Sequence, residues 1–196
     1  MGRKAVITRA TGETDIALTL ELDGQGVMQG TTGIGFFDHM LQQLVRHGGL
    51  NLDLTRVTGD LAVDAHHTVE DVGICLGRAL SQAIGDKTGI QRYGSAWIPM
   101  DDALVLAVVD LSGRPYLSMQ VALPQGRVGD FDTELVEEFW RAFTLHGGVT
   151  LHVKQETGHN THHIIEAVFK AVGRALRQAV SFDPREKGIP STKGIL

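Results

Sequence analysis

The sequence predicts an α/β fold, an α+β layered sandwich in which a unit of two strands, helix, strand and helix occurs twice, its helices packed on a sheet. Three observations carry this. The stretch "HHTVEDVGICLGRAL" from residue 66 returns as "HHIIEAVFKAVGRAL" from residue 162, with His, His, Glu, Gly, Arg, Ala and Leu at matched places. Upstream of each, "RHGGLNLDL" (46–54) matches "LHGGVTLHV" (145–153). Within each unit the apolar residues recur first every second position and then with the helical period of about 3.6.

The elements follow in order. In "DIALTLEL" (15–22), Ile16, Leu18, Leu20 and Leu22 share one side, as in a strand with one face buried. An amphipathic helix over 36–47 runs into Gly48 and Gly49, a natural left-handed C-cap, and a strand follows. Short polar residues around Asp64 mark the start of a longer helix over 66–85. The repeat boundary falls in "QRYGSAW" (91–97), which divides one compact functional domain into repeats 1–95 and 96–196. The second repeat opens with "ALVLAVVDL" (103–111), and a helix over 132–146 ends at Gly147 and Gly148. In the strand that follows, Val149, Leu151 and Val153 alternate with Thr150, His152 and Lys154, so His152 points away from the apolar side. Asn160 and Thr161 are cap candidates for a helix over 162–180. The Gly-Gly pairs are offset by 99 residues and the histidine pairs by 96, so the loop before the second pair is three residues shorter.

Composition excludes several classes. With 42% hydrophobic residues, the chain buries a real core. No run approaches the ~20 apolar residues of a membrane span, and "MGRKAVITRATGETDI" lacks a secretory apolar region, which predicts a cytoplasmic protein with no membrane partner. The net charge of -5 and eleven scattered aromatics (Phe 7, Tyr 2, Trp 2) argue against nucleic acid. Cys75, the single cysteine, lies among apolar neighbours and reads as core.

The histidines carry the chemistry. On a helix, His66 and Glu70 share a face, as do His162 and Glu166, while His67 and His163 project about 100° away. Two such copies facing each other would hold two divalent ions, each taking a histidine from one copy and a histidine with its glutamate from the other. Four histidines and two glutamates buried without a cation would strand polar groups, whereas around an ion they satisfy one another. Imidazole with carboxylate suits manganese, iron, zinc or nickel. His39, in "GFFDHML", is either a further ligand or a helix-face histidine, and His152 is either a ligand or a surface residue. His47 and His146 precede Gly-Gly pairs and suit the helix dipole, and His159 is a loop residue.

With "ETDI", "GFFDHML", "DAHHTVEDVGICLG", "DLSGRPY", "TLHV", the second histidine-pair helix and "PSTKG" in order, the chain closely resembles imidazoleglycerol-phosphate dehydratase. The resemblance implies a lyase of histidine biosynthesis with a duplicated α/β fold and two manganese ions per site. It also implies a shell of 24 subunits with sites at subunit contacts. It implies His39, His66, His67, Glu70, His152, His162, His163 and Glu166 as metal ligands, and catalytic roles for Glu13, Glu70 and Glu166. Glu138 stands where some relatives have histidine, and no ligand is assigned there. The substrate the resemblance implies is D-erythro-imidazole glycerol phosphate, which loses water to give imidazole acetol phosphate. Glu13 is the expected proton shuttle; Arg92, Arg114, Ser191 and Lys193 match the phosphate region, with Gln43 and Lys170 as further contacts and the tail ordered over substrate. The alternatives are a dinuclear phosphoesterase, whose ligand set would be richer in aspartate, and a non-catalytic metal-binding protein.

Overall fold

The computed structural model describes residues 2–196. The first repeat runs β1 (Lys4–Ala10), β2 (Thr14–Glu21), β3 (Val27–Gln29), α1 (Gly35–Gly48), β4 (Asn51–Gly59) and α2 (His66–Ile84). The second runs β5 (Tyr93–Met100), β6 (Ala103–Asp110), β7 (Tyr116–Gln120), β8 (Arg127–Val128), β9 (Phe131–Asp132), α3 (Leu135–Gly147), β10 (Thr150–Thr157) and α4 (Thr161–Val180). The two four-stranded sheets, ordered β1-β2-β4-β3 and β5-β6-β10-β7, share one plan. All pairings in them are antiparallel except β3 with β4 and β7 with β10.

The expected helices are found within three residues of their bounds, and the duplicated α/β unit holds. The third helix starts later than expected, at Leu135, because Phe131 and Asp132 are spent in a small β8–β9 hairpin. Strands β3 and β7 add a short parallel member to each sheet. Edge strands β1 and β5 carry one fully buried residue each, Ala5 and Gly94, which is why their sequences alternate weakly.

Both Gly-Gly signals act as read: Gly49 (φ 67°) and Gly148 (φ 62°) close α1 and α3 in the left-handed region. Asn160 caps α4, its side chain accepting from the His163 N–H. The N-terminus of α1 is satisfied from the other repeat, where Asp130 accepts from the N–H groups of Gly35 (2.9 Å) and Phe36 (3.2 Å).

Each long helix packs on a helix of the other repeat, α4 on α1 and α2 on α3. Two glycines at the repeat offset of 96 residues set these crossings. A Cβ on Gly173 would stand 2.7 Å from the Leu44 carbonyl oxygen, and one on Gly77 would stand 2.5 Å from that of Phe143. Around them Phe37, Phe139, Trp140 and Phe169 are fully buried and stack edge-to-face or face-to-face, so one aromatic core joins α1, α3 and α4. Cys75 lies in this core, where burial pushes its thiol up to about 11.

Because backbone carbonyls stand in the way, Gly77→Ala and Gly173→Ala are each expected to cost about 1–3 kcal/mol of stability. Thermal melting would detect this as a fall of several degrees. Gly85→Ala, at a position open to solvent, serves as the comparison for backbone conformation alone.

Candidate metal centre and phosphate cavity

The close approach of α1 to α4 brings His39 over the first turns of α4. The Nε2 atoms of His39 and His162 lie 3.1 and 3.0 Å from the same oxygen, Oε2 of Glu166. Glu166 is 6% exposed, and its other oxygen accepts from Lys170 Nζ at 2.6 Å. Burial raises the Glu166 carboxyl, but hydrogen bonds from Lys170, His162 and His39 outweigh it and hold the group down at about 2. Gln43 Nε2 reaches His39 Nδ1 at 3.5 Å, and Phe36 lies against both imidazoles. Two imidazoles and one ionised, buried carboxylate offer ligand atoms that all lie within 4.8 Å of one another. This donor set fits a first-row divalent cation, and it is the one such set of three among the described residues.

The second cluster lies at the start of α2. His67 Nδ1 contacts Asp60 Oδ2 at 2.9 Å, and its Nε2 lies 3.8 Å from Glu13 Oε1. The bond to Asp60 raises the His67 pKa, with Glu13 adding to the effect. Glu13 is set beside α2 by its neighbours. Thr14 donates to the buried carboxylate of Asp71, which also pairs with Arg9 at 2.9 Å, so the β1–β2 turn is tied to the helix. His66 approaches His67 edge-on, and its backbone N–H donates to Asp64. The Glu70 side chain takes part in none of these contacts.

The set of three that converges within the chain, among the described residues, draws on α1 and the second histidine pair, and the first pair stands in no such set. α2 packs on α3 and α4 on α1, so the two clusters start on helices of different pairs. By the same symmetry, the place of His39 over α4 is taken over α2 by Glu138, whose carboxylate lies 3.7 Å from Arg141. His152 is apart from both clusters. It projects from the exposed face of β10 beside the Tyr116 ring, while Leu151 and Val153 face the helices, so the sheet separates it from His162.

His163 mirrors His67. Its Nδ1 meets Asp102 Oδ1 at 2.7 Å, and its Nε2 lies 3.4 Å from Asp101. The backbone N–H of His159, then His163 and the N–H of Asn160, hold the Asp102 carboxyl well below the usual carboxylate range. Asp60 and Asp102 lie outside the repeated motif, and the sequence reading missed them. The signal that could have found them is the requirement that a ligating imidazole spend its other nitrogen on an acceptor.

Four residues assigned to phosphate line a single cavity of 690 Å³: Arg92, Arg114, Ser191 and Lys193. Arg92, itself in the left-handed region (φ 69°), lies over the Tyr93 ring. Its guanidinium is gripped by Asp110 at 2.7 and 3.2 Å and by the Pro190 carbonyl at 2.8 Å. Arg114 is 68% exposed in its side chain, with its charge turned to the cavity. Gln43 and Lys170 are not in this cavity but beside Glu166.

The family model for imidazoleglycerol-phosphate dehydratase matches residues 32–176. Proteins of that name from Moorella thermoacetica and Dinoroseobacter shibae are 62% and 60% identical, over 100% and 99% of this chain and all of their own length. The crystal structure of imidazoleglycerol-phosphate dehydratase from Staphylococcus aureus is 42% identical and matches with a TM-score of 0.82, over 92% of this chain and 99% of that one. That from Pyrococcus furiosus, solved in complex with (S)-C348, is 37% identical with a TM-score of 0.82, over 97% and 100%. The chain belongs to the imidazoleglycerol-phosphate dehydratase family.

Proposed function

We propose that this chain is a metal-dependent hydro-lyase of the cytoplasm that turns imidazoleglycerol phosphate into imidazole acetol phosphate and water, at sites completed between copies of itself. The observation that carries the reading is the convergence of His39, His162 and Glu166 on one point, with a cationic cavity elsewhere on the same chain. These three residues would hold one divalent cation. His66, His67, Glu70 and His163 supply the remaining ligands of a two-cation site, with manganese suited to its mixed imidazole and carboxylate donors. His152, separated from His162 by the sheet within one chain, would join the ligands from a second copy.

Such cations, when bound, supply Lewis acidity that eases negative charge into the substrate's imidazole ring. The remaining work falls to the protein. Glu13, 58% exposed beside His67, is the carboxylate free to take the proton from C2, the second carbon from the ring, and to pass it on as the hydroxyl of the ring-attached carbon leaves as water, the resulting enol tautomerising to the ketone. Glu70 and Glu166 would supply the carboxylate ligands at the cation positions. Arg114 and Lys193 neutralise the phosphate, Arg92 is held ready by Asp110, and Ser191 adds a hydroxyl donor. Gln43 and Lys170 are poised at the ring end of the substrate.

One chain cannot do this alone. Arg92 donates its backbone N–H to Ala179, near the end of α4, whereas His162 lies in the first turn. At 1.5 Å per residue these points are about 25 Å apart, too far for one small phosphate ester to bridge. Self-association, to 24 subunits by the family resemblance, would place the cavity of one copy at the histidines of another.

Mixing experiments test this sharing. His162→Ala protein, inactive alone, and Arg114→Ala protein, impaired alone, should show more activity when unfolded and reassembled together than either shows by itself. No recovery would place all the site residues in one chain. Chelator should abolish ketone formation, and stepwise return of manganese should restore it; turnover in fully stripped protein would overturn the reading. Arg114→Ala should keep its manganese yet lose roughly 10- to 100-fold in kcat/KM, the size of one charge-assisted phosphate contact. Release of inorganic phosphate in place of ketone would favour the phosphoesterase.

Glu166 gives a pH test. Its carboxyl is depressed in the fold from an ordinary 4.5 to about 2, so its stabilising effect is complete above pH 4.5 and is lost as pH falls towards 2. Lys170→Met should move that loss upward by roughly 1–3 pH units in stripped protein, as read by acid unfolding.

A further inference from the structure

We infer that Asp60 and Asp102 are positioning residues that fix which ring nitrogen His67 and His163 offer to a cation. The inference rests on the metal reading above for its consequence, but its geometry stands on its own. In both repeats the second histidine of the pair turns Nδ1 to an aspartate oxygen, at 2.9 Å from Asp60 and 2.7 Å from Asp102. An ionised carboxylate only accepts, so Nδ1 must carry the hydrogen, and the lone pair of the neutral ring is left on Nε2. His39 and His162 also direct Nε2 towards their shared point, where it donates to the Glu166 carboxylate in the metal-free chain, so in all four rings Nδ1 is turned away from the candidate cation position.

The two aspartates are not copies of each other. The β4–α2 loop has six residues, 60–65, and Asp60 begins it. The β10–α4 loop has three, 158–160, and its Gly158, His159 and Asn160 include no acid. The shortened loop is drawn down onto the β5–β6 turn instead, where Asp102 accepts from the N–H of His159 (2.6 Å) and of Asn160 (3.1 Å) and also takes the histidine. The same lock on the same ring atom, made from two different loops, argues for a requirement of the imidazole rather than an accident of the fold. It also accounts for Glu13. That residue directly precedes β2 as Asp102 directly precedes β6, but Asp60 already holds His67, so Glu13 stays 3.8 Å off and unspent. Asp102 is committed to its histidine and to two amides, and it has no such freedom.

The test uses the full chain with histidine rings labelled in ¹⁵N, with Asp60→Asn and Asp102→Asn variants in which an amide N–H₂ can face Nδ1. Signals are assigned by His67→Gln and His163→Gln. In metal-free wild type at alkaline pH, both rings should show a protonated Nδ1, and each variant should shift only its own histidine towards the other tautomer. Manganese affinity should fall roughly 10- to 100-fold in each variant. Asp102→Asn keeps an acceptor for the two amides, and Asp60→Asn touches no helix cap, so melting temperatures report whether either change is merely structural. Wild-type rings protonated at Nε2, or variants with unchanged tautomer and unchanged affinity, would overturn the inference. If wild type takes up no manganese at all, the metal reading fails, and the tautomer measurement still decides the role of the aspartates.

Discussion

The contact on which the rest of the molecule depends is the close crossing of helices at Gly77 and Gly173. With no side chain between them, the backbones of α4 and α1 approach until a carbonyl oxygen of one nearly touches a Cα of the other, and α2 meets α3 in the same way. That approach carries His39 to within hydrogen-bond distance of a carboxylate 127 residues away in sequence. A wider crossing would take His39 away and leave the buried Glu166 carboxylate with only His162 and Lys170 of its own helix.

The duplication is faithful where packing demands it and broken where chemistry does. Helix ends, crossing glycines and sheet order repeat. In the first repeat, Thr14, Arg9 and Asp71 form a buried polar link between the hairpin and α2. At the corresponding places in the second repeat stand Ala103 and Ala167, both buried, so plain apolar packing serves there. Polar anchoring fixes direction as well as distance. It is used at the hairpin that carries Glu13, where an acid must be aimed at a histidine, and omitted where the acid is already tied to one.

Much of this was legible in the sequence, and the boundary has a physical cause. Helix ends were readable because Gly49 and Gly148 must adopt positive φ, and the paired histidines because the repeat doubled a rare pattern. The α1–α4 pairing was not readable, since periodicity marks an apolar stripe without naming what covers it. That gap is why the two clusters were expected to meet across a seam without its being readable whether one chain or two supply it. The polar alternation of β10 put His152 away from the core, and the structure agrees; the ligand role that the family resemblance implied for it would have to be played towards a second copy. Asp60 and Asp102 were invisible because an orienting acid needs only to be near in space, and Asp102 lies 61 residues from its histidine.

The exchange of helix partners has a consequence for how such a chain could arise. A single repeat cut free would leave two apolar stripes bare and, at α1, backbone amides that only Asp130 of the other half now satisfies. Two free half-length chains could cover each other by the same pair of crossings around a twofold axis. The present polypeptide has the form of such a dimer with its ends sewn together, and the fusion is what allowed one loop to shorten and one acid to change its task without disturbing its counterpart.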